Sequence, residues 1–131
     1  MKYQFLFLSL GLASTIAFTQ NAYSEFKQVI PLFKCSTSTA GPCQKAQELT
    51  NRFWQEQKDS ILDELLPELE KSISDDPKNA SLFYARSTIY WFKSGNNLKA
   101  ALKDIDSALA LNPESPEFNE SRALLLAALG N

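Results

Sequence analysis

The sequence predicts an all-α fold of about five helices, arranged as antiparallel helix-turn-helix repeats behind an irregular, disulfide-closed lead-in. Three observations carry this prediction. Apolar residues fall three to four apart through most of the chain after residue 45, the spacing of one helix face. A 36-residue offset relates Leu62, Leu65, Leu69, Ser72 and Pro77 to Leu98, Ala101, Ile105, Ala108 and Pro113, and Arg86, Ser87 and Tyr90 to Arg122, Ala123 and Leu126. Proline and glycine punctuate the periodic stretches at Pro77, Gly95, Pro113, Pro116 and Gly130. A fixed period of this size marks stacked supersecondary units, each burying its apolar face against the next.

The N-terminus has a different character. Lys2 precedes an uncharged apolar run from Tyr3 to Phe18, followed by a polar stretch ending at Ser24. That order is the order of a secretory signal peptide, and Ala22 and Ser24 are small residues suited to a cut before Glu25. A cut after Ala22 is the alternative. A retained membrane anchor is the competing reading, but the run of about 16 residues falls short of the roughly 20 that a spanning helix needs. The expected organisation is therefore a signal peptide over 1–24, a lead-in over 25–44 and a helical domain over 45–131. The expected product is exported, periplasmic or secreted, with no stable membrane span after cleavage.

Loss of Lys2 from the 13 basic residues leaves 12 against 15 acidic ones, a net charge of −3. These charges are interspersed, which disfavours a phosphate-binding surface and hence nucleic acid. Two cysteines in an exported chain suit one disulfide. Cys35 and Cys43 enclose a Ser/Thr-rich loop ending in Gly41-Pro42, and bridging it would contribute roughly 2.5 kcal/mol on loop-entropy grounds. The spacing is not the Cys-x-x-Cys of redox enzymes, so a structural staple is expected.

The elements follow in order. Pro31 and Pro42 interrupt the lead-in, whose apolar cluster Val29, Ile30, Leu32 and Phe33 is expected to lie over the first helix as a lid. Ala46, Leu49 and Phe53, with Trp54 alongside, begin the first helix. Ser60 with Asp63 three residues on resembles a capping box opening the second, which Leu62, Leu65, Leu66, Leu69 and Ile73 continue. Pro67 predicts a kink or a break near Leu66, because proline removes a helical hydrogen bond. A third helix is predicted over about 79–93, ended by the turn at Ser94–Asn97. The fourth is predicted over about 98–111, and the fifth from Pro116, well suited to a first helical position, to Leu129.

The segment from Asp76 to Pro113 resembles a tetratricopeptide repeat, a helix-turn-helix unit of 34 residues. Phe83 and Tyr90 fill its large aromatic slots, Ser87 the small slot where its helices approach, and Ala101 and Ala108 the small contacts of its second helix. Ile105 replaces an aromatic there, Arg86 a common leucine, and the turn at Gly95-Asn96-Asn97 is longer than standard. A degenerate repeat precedes this unit and a half repeat follows it. The resemblance implies a short α-solenoid that docks a protein or peptide partner in a concave groove, and a scaffold rather than an enzyme. Residue by residue, it implies groove positions Tyr84, Thr88 and Trp91, with Glu120, Leu124 and Ala127 corresponding to them in the last helix.

Two questions stay open at this level. Tyr84 and Trp91 serve either as groove anchors or as packing beneath the lid. The last helix is apolar nearly all round, so Leu125, Leu126 and Leu129 either mediate self-association or are covered by the lead-in. Arg86 and Arg122 are expected to pair with nearby acids, Asp104 and Asp106 being the nearest in sequence on the following helix. No histidine is present and glycines are few, so Ser-His-Asp or Cys-His catalysis and phosphate loops find no support. No cofactor or metal is expected.

Overall fold

The computed structural model describes residues 30–36, 41–93 and 97–130. Five α-helices occupy them: α1 (Pro42–Glu56), α2 (Asp59–Asp75), α3 (Ala80–Phe92), α4 (Leu98–Leu111) and α5 (Pro116–Ala128). There is no strand among the described residues. The proposed signal peptide, Val29 and turn residues 94–96 lie outside them.

Local chemistry explains most helix ends. Asn97 accepts from the Ala100 amide and starts α4, and Ser115 accepts from the Phe118 amide and starts α5 at Pro116. Gly130, with φ at +84°, follows α5 in the left-handed region that glycine enters without penalty.

Three expectations are corrected here. The first helix begins at Pro42, inside the predicted lead-in, because proline at the first helical position gives up only an amide that would lack a helical partner anyway. The second begins at Asp59 after Lys58 with no side-chain cap, so Ser60 lies in its first turn and forms no capping box. Pro67 does not break that helix, which runs through it to Asp75. Its ring is exposed, while Leu65, Leu69 and Ser72 on either side are buried and tie both halves to the core.

Helices pack on their chain neighbours, most extensively α1 on α2 and α3 on α4. Lys45–Glu68 and Arg52–Glu64 step in opposite directions along α1 and α2, so this pair is antiparallel. Tyr90–Asn97, Ser87–Ala101 and Arg86–Asp104 do the same for α3 and α4.

Buried apolar side chains form two clusters among the described residues. The first gathers Ile30 and Phe33 with Ala46, Leu49 and Phe53 of α1, Ile61, Leu62, Leu65 and Leu69 of α2, and Leu82, Ala85 and Ile89 of α3. The second gathers Ala101, Ile105 and Ala108 of α4 with Phe118 and Leu125 of α5, and α3 adds Phe83, Tyr84, Tyr90 and Trp91. Helix α3 is shared by both, which is why it is apolar nearly all round. Ile30 and Phe33 cover the first cluster, as the lid expectation required, and Leu32 faces solvent. Cys35 and Cys43 are at bonding distance, with Cα atoms 5.8 Å apart.

Candidate functional site

The face of α3 turned toward α5 carries the residues that sequence reasoning singled out. Tyr84 and Trp91 lie seven residues apart on α3, two helical turns along one side, and both are half-buried against the second cluster. The Tyr84 ring meets Phe118 with centroids 5.0 Å apart and a 55° tilt. Tilted contact suits the opposed charge of ring face and ring edge. Trp91 stacks parallel to Phe92, centroids 5.6 Å apart. These side chains pack toward α4 and α5, and the lid belongs to the other cluster.

Thr88 sits between them but does not present its hydroxyl. Its Oγ1 donates back to Tyr84 O at 3.0 Å and the residue is buried, so its polar group is satisfied within its own helix. On α5, Glu120 and Ala127 are exposed, and Leu124 is 37% exposed. Leu125 is fully buried, so it belongs to the core and not to an exposed self-association surface. Leu126 and Leu129 are half-buried.

Phe118, which the sequence reading passed over, joins the two helices. Its signal was available: Phe118 and Leu125 stand 36 residues after Leu82 and Ile89, and all four are buried. The core stripe of the repeat runs through these positions, one turn away from the Arg86, Ser87 and Tyr90 set.

An ionic and aromatic assembly fixes α3 from behind. Arg86 donates from Nε and Nη2 to the two carboxylate oxygens of Asp104, at 2.8 and 2.7 Å. Its guanidinium also lies 6.0 Å from the Phe83 ring and 5.9 Å from the Tyr90 ring. Hydrogen bonding to Asp104 raises the Arg86 pKa against its own burial. Burial raises that of the Tyr90 phenol, and the Arg86 charge opposes the rise. The Ser87 hydroxyl donates to Ala101 O at 2.8 Å, a bond between α3 and α4 that only a small side chain permits. Arg122 of α5 reaches Asp106 of α4 at 2.8 Å, so both repeated arginines bind acids of the same helix.

Elsewhere, a depression of about 500 Å³ follows the outer side of α4, lined by Lys99, Leu102, Lys103, Asp106, Ser107 and Ala110. Among the described residues no group of three or more His, Cys, Asp or Glu side chains could hold a metal ion, and no helix is long and apolar enough to cross a membrane. No protein-family model matches the chain, and no curated protein and no solved structure matches it either.

Proposed function

We propose that this chain is an exported, tetratricopeptide-like interaction module whose α3–α5 face docks a segment of a partner protein. The observation that carries the reading is the state of Tyr84 and Trp91. Both rest on the second cluster yet stay half-buried, with Leu124 exposed on the neighbouring helix. Aromatic rings with a rigid base and an open side contribute large contact area at little entropic cost. Sequential packing of antiparallel pairs supports the repeat reading, with α1–α2 and α3–α4 as units and α5 as a half unit. Tyr84 and Trp91 are the anchors, Glu120 and Leu124 flank them on α5, and Thr88 supports Tyr84 from within.

Affinity capture from an extracellular or periplasmic fraction, with residues 25–131 and the Trp91→Ala form in parallel, tests this. A partner kept by the first and lost by a still-folded second supports docking, with Trp91 contributing more than about 1 kcal/mol. Equal capture by both forms rejects the anchor role.

Self-association is the second reading, and the exposure of Leu124 and of Leu111 at the end of α4 favours it. Sedimentation of a Leu124→Asp/Leu129→Asp form decides it. Loss of a dimer present in the parent supports the reading, and a parent that is monomeric at high concentration sinks it.

A further inference from the structure

The segment Ile30–Ser36 joins no helix, yet it is held as closely as a bound peptide. Ile30 and Phe33 are buried in the first cluster, while Leu32 and Lys34 between and beyond them are exposed. Inward residues three apart, with Pro31 between them, match the three-residue turn of a polyproline-type strand. Two carboxamides grip consecutive carbonyls of this strap: Gln47 Nε2 of α1 donates to Phe33 O at 2.6 Å, and Asn79 Nδ2, at the start of α3, donates to Lys34 O at 2.8 Å. The Ser36 hydroxyl donates to the Asp76 carboxylate after α2. Main-chain carbonyls are read by polar side chains while two apolar side chains fill the cluster. That division of labour gives peptide receptors affinity from backbone contacts and selectivity from pockets.

The strap is also latched. Cys35 follows its last gripped carbonyl, and Cys43 lies in the first turn of α1, so the disulfide ties the strap to the helix that binds it. Both cysteines are half-buried, within reach of a reagent from solvent.

We propose that the surface formed by α1, α2 and the start of α3 is a peptide-binding groove, occupied in cis by residues 30–36 and latched by the Cys35–Cys43 disulfide. Its ligand class is a polyproline-type segment with two apolar side chains three residues apart, the second aromatic. A dithiol reductant opens the latch. One of its thiolates attacks a sulfur of the bridge, its second thiolate resolves the mixed disulfide, and two electrons and two protons pass to Cys35 and Cys43 as the reductant becomes a disulfide. Opening the short loop lowers the strap's local advantage by roughly a hundredfold on loop-entropy grounds. A competing segment then takes its place. The proposal is independent of the α3–α5 face.

Fluorescence anisotropy of a labelled peptide of residues 28–36, carrying Cys35→Ser, tests it on the full-length chain. The chain is used oxidised, reduced with dithiothreitol, and as Cys35→Ser/Cys43→Ser. The two opened forms are expected to bind the peptide at least tenfold more tightly than the oxidised form. A Phe33→Ala peptide should lose that gain, and Trp91→Ala in the protein should leave it unchanged. An opened chain with unchanged helical circular dichroism and no gain in binding overturns the proposal, since the strap is then permanent core. Loss of the helical signal on reduction overturns it as well, because the strap is then inseparable from the fold. Equal binding of the Phe33→Ala peptide overturns the assigned ligand class.

Discussion

Arg86 holds both carboxylate oxygens of Asp104 in a two-pronged bond from α3 to α4, and only 4% of the Asp104 side chain is exposed. A planar guanidinium fits a carboxylate in this way where an ammonium does not. The same bond fixes the side of α3 opposite to its contacts with the first cluster. It therefore helps set the pitch at which Tyr84 reaches Phe118.

Asp104→Ala should destabilise the chain by about 3 kcal/mol, because it leaves a largely buried guanidinium without its partner. Arg86→Met/Asp104→Leu should cost less than that single change, since no orphaned charge remains. Urea denaturation of the three proteins checks the order. On the same helix, Asp106→Ala should shift stability by under about 1 kcal/mol, because the Arg122–Asp106 pair is solvated on both sides.

Leu125→Ala should cost about 2–5 kcal/mol and Leu124→Ala well under about 1 kcal/mol, although the two leucines are adjacent. Leu125 fills the second cluster, and its removal leaves a cavity. Thermal unfolding followed by circular dichroism separates them, and equal losses would reject the assignment of their faces.

Pro67→Ala should stabilise the protein by about 1–3 kcal/mol. The exposed ring contributes little packing, while alanine restores an amide inside α2 and relieves the clash one turn back. Greater freedom of the unfolded chain offsets part of the gain. A lower midpoint in a denaturant titration would show that the proline shapes α2 in a way the core requires.

Glu68 provides a pH test. Its carboxylate accepts from Lys45 at 3.0 Å and from Lys71 at 3.4 Å, and the Lys45 bond is the main cause holding its pKa below the ordinary 4.5. A lowered folded pKa means the pair stabilises the fold above the unfolded value, with that stability lost as pH falls from about 4.5 through the lower folded value. Both lysines are largely exposed, so the contribution is under about 1 kcal/mol. Glu68→Gln should flatten stability against pH across this window and leave the neutral-to-alkaline limb unchanged.

Much of the fold was legible because its signals are local. Asn97, Ser115 and Pro116 mark helix starts by chemistry that acts within one turn, and α4 runs over the predicted residues. Prolines were harder to interpret, because the same residue opens α1 at Pro42, opens α5 at Pro116 and is tolerated inside α2 at Pro67. Which of these applies depends on what the flanking residues bury. The candidate site was legible as a pair of aromatics one step off the core stripe, but its other half was not. Phe118 carries no local mark beyond its 36-residue relation to Leu82.

By itself, the sequence determined the helical class, the helix count, the pairing of Cys35 with Cys43 and the acids available to Arg86 and Arg122. These follow from spacing, capping chemistry and charge, which act over a few residues or within one repeat. Only the tertiary structure decided which faces of α3 and α5 are covered. Both helices are apolar around most of their circumference, so periodicity could not separate Leu124 from Leu125 or Tyr84 from Leu82. Burial is set by neighbours: α3 lies between two clusters, whereas α5 has α4 as its main helical partner and keeps Leu124 in solvent.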